Sequence, residues 1–199
     1  MMKYAGVFSS LAIVLVMVSC KPSPQKAEQY YDAVVSPLED VFDKEEALIG
    51  LINNETEKLA ASPFTFQSDS IQKPIVADTG KKQIEQAYKD LVSQIALSTN
   101  RLTSLKDFDK NSQLKDAALA LLTEYDILCK NEYRELLQIV QIPPADYSSE
   151  DEDKFMRLSD TIDFRIKEKI TMLTDELKLF SKKYNFRIQE DSLAKALVP

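Results

Sequence analysis

Apolar residues recur every three or four positions over four long stretches of this chain, the spacing that lays one stripe along an α-helix. The first stripe is Ala27, Tyr30, Tyr31, Val34, Leu38, Val41, Phe42, Leu48, Ile49 and Ile52, and it predicts a helix over about 27–59. Pro37 falls inside it. Proline removes one backbone bond there and crowds the turn at Ala33, so a kink is expected in a helix whose stripe stays in phase on both sides. The second stripe (Ile84, Tyr88, Leu91, Ile95, Leu102, Leu105) predicts a helix over about 81–105, with Asp78 or Thr79 as its cap. The third (Leu114, Ala118, Leu121, Tyr125, Leu128, Leu136, Val140) predicts one over 113–140, stopped by Ile142-Pro143-Pro144. The fourth opens with Ser149-Glu150-Asp151-Glu152, read as a capping box that pairs Ser149 with Glu152. It continues through Phe155, Leu158, Ile162, Ile166, Ile170, Leu173, Leu177, Phe180 and Tyr184, with Lys178, Lys182 and Lys183 at its negative end. Residues 185–199 carry a weaker pattern, with Leu193, Ala194 and Leu197 suited to one short helix.

Each helix is apolar on one side only, so the stripes must be buried against one another. The expected fold is all-α: a four-helix bundle of long antiparallel helices forming a single domain over 27–199. Three glycines in 199 residues argue against a turn-rich β architecture. Between helices one and two lies a long apolar loop, 61–80, punctuated by Pro63, Pro74 and Gly80. A connection of that length is unusual in a compact domain and directs attention to function. Exposed together, Phe64, Phe66, Ile71 and Ile75 would form a partner-binding patch. The plainer reading is that they cap the open end of the bundle.

The N-terminus has a different grammar. Lys3 precedes an apolar run from Ala5 to Val18, and Ser19 sets a small residue before Cys20. That is the layout of a secretory signal peptide, and the run is short for a bilayer span. Met17-Val18-Ser19-Cys20 resembles the bacterial lipobox. The resemblance implies cleavage before Cys20 and diacylglycerol on its thiol, with acyl chains giving stable membrane anchoring. Residues 1–19 are then a lipoprotein signal peptide, and 20–26 a proline-containing tether.

Removing residues 1–19 takes Lys3 from the 25 basic residues and leaves the 32 acidic ones, a net charge of −8. So acidic a body is a poor partner for nucleic acid. It also cannot be held to anionic lipid by a basic patch, so the membrane contact is assigned to acyl chains on Cys20. With Cys20 acylated, Cys129 is the last thiol and no intramolecular disulfide can form.

The sequence contains no histidine, which excludes Ser-His-Asp and Cys-His catalysis and the Glu-x-x-His ligands of di-iron bundles. No cofactor or metal site is therefore expected. An all-carboxylate site would draw on Glu45 and Glu132, near the stripes; the commoner reading keeps both carboxylates in water at the stripe edge. Cys129, beside Tyr125 and Leu128, is read as a buried inert thiol rather than a redox sensor. Tyr30-Tyr31-Asp32 is a candidate recognition patch, with one tyrosine expected to lie partly exposed at the bundle edge. No glycine-rich phosphate loop, CxxC or EF-hand pattern occurs.

Ser19-Cys20, followed by a helix opening Ala27-Glu28-Gln29-Tyr30-Tyr31-Asp32-Ala33-Val34-Val35, resembles the lipid-anchored helical-bundle lipoproteins of Bacteroidetes and spirochaetes. The resemblance implies a helical fold and carries over no reaction and no functional residue. The expected protein is an envelope lipoprotein, not an enzyme, that binds or scaffolds another envelope protein. Its expected place is the outer membrane, facing the periplasm or displayed at the surface. The alternative is a carrier holding a small molecule or lipid between helices or under the 61–80 loop.

Overall fold

The computed structural model describes residues 22–61, 77–143 and 145–188. Among them the chain is all-α, as its stripes require. The elements are α1 (Pro24–Ala61), α2 (Ala77–Ser104), α3 (Gln113–Leu128), a π-helical turn (Cys129–Tyr133), α4 (Arg134–Val140) and α5 (Ser149–Tyr184). Because α3, the π turn and α4 follow without a break, they make one rod, and four rods share one core. Cys20 and the preceding run read as a signal peptide lie outside the described residues, as do Phe64, Phe66, Ile71 and Ile75. No described helix is long and apolar enough to cross a membrane.

The contacts between rods fix their directions. Along α1 and α2, Glu55 meets Gly80 at one end while Ser98 bonds the Pro37 carbonyl (2.7 Å) further in. Between α2 and the third rod, Lys81 reaches the Gln141 carbonyl (2.7 Å) and Tyr88 that of Cys129 (2.7 Å). On α5, Lys154 pairs with Glu135 and Arg165 with Glu124. In each pair of rods one number rises as the other falls, so sequence neighbours run in opposite directions. The core is the predicted stripes: Val34, Leu38, Leu48, Leu91, Leu102, Leu121, Leu128, Leu173 and Leu177 are all buried. Burying a Leu- or Val-sized side chain stabilises by about 1.5–3 kcal/mol, the term that assembles these helices.

Several boundaries differ from the sequence reading. Helix α1 starts three residues earlier than expected and continues to Ala61 through Pro37 as one element. The buried Ser98 hydroxyl adds a bond to the Pro37 carbonyl, which ties α1 to α2 at the proline. Helix α2 begins at Ala77, which puts Asp78 and Thr79 inside it rather than at its cap. The cap of α5 is Ser148, not Ser149. Its Oγ accepts from the Asp151 N–H (3.2 Å) while Asp151 accepts from the Ser148 N–H (2.9 Å). Asp151 reaches back as well as Glu152 would have, so the box closes one residue earlier. These hydrogen bonds from Ser148 hold the Asp151 carboxyl below its ordinary range.

Two irregular turns position everything at the end where α1 begins. Asp109 and Lys110 both take positive φ (52° and 59°) in a tight turn closed by the Asn111 N–H on the Phe108 carbonyl (2.8 Å). Asn185 ends α5 in the left-handed region (φ 56°), and the Phe186 N–H returns to the Ser181 carbonyl (3.2 Å). That is the reversal with which helices commonly end. It sends Phe186 and Arg187 back across α1.

Candidate functional site

The π turn governs the interior. Eight residues of regular α-helix leave a pair ~80° out of line, but a π turn absorbs one extra residue and brings the pair back to within ~20°. Two such pairs, Glu124/Glu132 and Tyr125/Tyr133, have their first members before this turn and their second members at its end. Tyr125 and Tyr133 both donate from their hydroxyls to the Glu45 carboxylate on α1. Glu124 and Glu132 both hold Arg165 of α5, through Nε (2.5 Å) and one terminal nitrogen (2.6 Å). One face of the rod therefore grips α1 and the next grips α5. The shift in backbone pairing at the π turn is accompanied by a new donor, since the Tyr88 hydroxyl bonds the Cys129 carbonyl.

The electrostatics follow from burial. Desolvation pushes the Glu45 carboxyl above its ordinary range against the two tyrosine hydrogen bonds, and the Asp163 carboxylate adds to the rise. Tyr125 and Tyr133 are raised well above theirs by burial and by the charge of Glu45. Burial lifts the Cys129 thiol to about 12, helped by Glu45. At 2% exposed, Cys129 is buried, as the sequence suggested.

Glu45 and Glu132 correct the sequence reading. Neither carboxylate stands in water: the first is taken up by two buried phenols and the second by Arg165, with its other oxygen buried. They also engage different groups, two phenols for Glu45 and a guanidinium for Glu132. Among the described residues no group of three or more Cys, Asp or Glu side chains is placed to hold a metal ion. What the structure shows these side chains doing is registering helices against one another.

The second constellation lies where α1 begins. Tyr30 and Tyr31 are both buried, at 7% and 5% exposed, so the expectation that one would lie partly open is also corrected. Tyr30 packs against Phe108 (5.1 Å between centroids) and Phe180 (5.7 Å), while Tyr31 meets Phe186 edge-on at 5.7 Å. Stripe periodicity does not show this, because the covering rings come from the α2–α3 turn (Phe108), α5 (Phe180) and the segment after Tyr184 (Phe186). Burial and the nearby Asp107 push the Tyr30 hydroxyl up to about 12.

Beside this aromatic end runs a groove of about 340 Å³, lined by Glu28, Tyr31, Asp32, Val35, Ser36, Glu39, Phe186 and Arg187. The α1 residues fall at steps of three and four, so one helix face makes a wall and the reversed chain after Asn185 makes the other. Val35 and Tyr31 form an apolar base. Glu39 is half-buried, and desolvation with the charges of Asp43, Asp40 and Asp32 raises its carboxyl. Acidic and basic groups share the groove without pairing: no ion pair joins Glu28, Asp32 or Glu39 to Arg187 among the described residues. Of the sequence candidates, Tyr31 and Asp32 belong to this groove, while Tyr30 belongs to the core. Glu28, Glu39, Phe186 and Arg187 went unnoticed; the i, i+4 run Glu28-Asp32 with Val35 and Glu39 on the same face was the available signal.

No protein-family model matches this chain, and neither a curated protein nor a solved structure matches it at a significant level.

Proposed function

We propose that this chain is a non-enzymatic envelope lipoprotein, held at a membrane by acyl chains on Cys20, that binds a small ligand in the groove between α1 and the Phe186-Arg187 segment. The observation that carries the reading is the groove itself. Its volume of about 340 Å³ falls in the small-molecule range, and it combines an apolar base with charges of both signs that do not pair with one another among the described residues. Ligand carriage between the helices has less support, because the described interior is filled by leucines and tyrosines. The groove also begins only eight residues after Cys20, at Glu28, so a lipid anchor would hold its mouth near the headgroups.

The test is native mass spectrometry of the protein purified from membranes, beside an Asp32→Lys/Glu39→Lys variant. An adduct on the wild type that the variant lacks is the expected result; superimposable spectra with no adduct on either would remove the reading. Anchoring is tested apart, by fractionation of Cys20→Ser, which should leave the membrane pellet.

A second reading, binding of another envelope protein, is favoured by the outer side of α5. There Phe164 is 70% exposed, half a turn from the core-facing Ile162 and Ile166, with Met172 and Leu179 also exposed. Large apolar side chains standing outward on one long helix suit a protein interface.

A further inference from the structure

Resting on the reading of the groove as a binding site, we infer that its ligand is a small zwitterion of the phosphoethanolamine type. The primary ammonium would lie between Asp32 and Glu39 and the anionic group against Arg187. Three features lead there. The α1 wall presents Glu28, Asp32 and Glu39, and desolvation together with the neighbouring charges of Asp43, Asp40 and Asp32 raises the Glu39 carboxyl. A cation placed there relieves that repulsion, and an ammonium supplies three donors to carboxylate oxygens. The rings of Tyr31 and Phe186 line the same groove, in edge contact with each other. Aromatic rings beside an ammonium add a favourable electrostatic term without a hydrogen bond.

The opposite wall settles why a zwitterion fits better than a simple amine. Arg187 is exposed and lines the same groove as the acids, yet it pairs with none of them. A guanidinium and carboxylates left apart across one cavity are complementary to a molecule that bears the opposite charges, separated by a few atoms. Phosphate takes a guanidinium in the two-pronged geometry that a fixed fork provides. The same chemistry occurs in a phospholipid headgroup and in the free amino-alcohol phosphate, and the groove recognises either.

The experiment is calorimetric titration of the full lipidated protein in non-ionic detergent with O-phosphoethanolamine, ethanolamine and inorganic phosphate. The expected result is saturable binding of O-phosphoethanolamine, weakened about tenfold by Asp32→Asn and about tenfold by Arg187→Gln. That is the loss of one charge-assisted hydrogen bond in each case. Ethanolamine should bind more weakly and respond to Asp32→Asn but not to Arg187→Gln. Vesicles of phosphatidylethanolamine that displace the soluble ligand would assign its source to the membrane; vesicles that fail to displace it would assign a soluble source. The inference is overturned if millimolar O-phosphoethanolamine gives no saturable heat, or if both variants bind as the wild type does. It is equally overturned if a lysine-rich peptide binds and O-phosphoethanolamine does not compete. No heat alongside an adduct lost in Asp32→Lys/Glu39→Lys would sink the zwitterion and leave the groove; no heat and no adduct would sink both.

Discussion

Tyr125 and Tyr133, eight residues apart on one rod, donate to the same carboxylate, Glu45 of α1. The π turn that ends at Tyr133 makes this possible by cancelling the ~80° that separates such a pair on a regular helix. Removing one hydroxyl leaves Glu45 buried with a single donor. Tyr133→Phe should therefore destabilise by about 1.5–3 kcal/mol, the range for hydrogen bonds to a charged group. Urea denaturation with an unchanged slope and a lowered midpoint checks it, and a midpoint equal to the wild type would contradict the clamp.

Glu45 itself predicts a pH dependence of the opposite kind from an ordinary ion pair. Its carboxyl is raised in the folded protein relative to 4.5, chiefly by desolvation. Above its folded value the ionised group therefore costs stability, and the cost is recovered as pH falls toward and below 4.5. Glu45→Gln, which stays neutral and keeps one acceptor, should be more stable than the wild type at pH 8 by about 1 kcal/mol. That corresponds to roughly 2–4 °C in a chain of this size. The difference should shrink steadily toward pH 4. Melting curves at several pH values decide it: a variant less stable than the wild type by the same margin throughout would show that the tyrosine bonds outweigh the burial.

On the other face, Arg165 answers two carboxylates, and its removal strands both. Glu124 and Glu132 are 13% and 17% exposed in their side chains, so water offers them only partial relief. Arg165→Met should cost about 2 kcal/mol, below the 3–5 kcal/mol of a fully buried pair because of that exposure. Adding Glu132→Gln should restore part of the loss. A strictly additive double mutant would mean that the pair is not coupled.

Periodicity was enough to find the four rods, because each stripe is long and every stripe must be hidden. The registration of the third rod was also written in the chain, though less plainly. The dipeptide Glu124-Tyr125 returns as Glu132-Tyr133, and the stripe jumps from Leu128 to Leu136, a step of eight that a regular helix would carry out of line. What could not be read was the partner. Glu45 lies 80 and 88 positions from its tyrosines, and a carboxylate at a stripe edge looks alike whether it faces water or a phenol. The groove was hidden for a similar reason. Its second wall exists only because Asn185 turns left-handed and returns Phe186 to Tyr31, a reversal that a single asparagine after a helix permits without requiring.

The tight turn between α2 and α3 stores strain that a substitution can release. Asp109 and Lys110 occupy the two positive-φ positions; aspartate tolerates that region better than lysine, whereas glycine enters it freely. Lys110→Gly should stabilise by about 1 kcal/mol, since the left-handed conformation costs a side-chain-bearing residue 1–2 kcal/mol and glycine gives back part in unfolded entropy. Thermal denaturation gives the answer, and a lower melting temperature would mean that the lysine side chain makes a contact worth more than the backbone strain.

Thiol labelling tests burial and the lipid anchor together. Cys129 is 2% exposed and its thiol is raised to about 12. At pH 8 only about one molecule in 10⁴ is then a thiolate, and access is blocked as well. If Cys20 is acylated, the native protein presents no other thiol to a maleimide. The native protein isolated from membranes should take up no label over hours and one label per chain after denaturation. A single site labelled in the native state would map either to Cys20, against lipidation, or to Cys129, against the closed core around Tyr88 and Glu45, and peptide mass distinguishes the two.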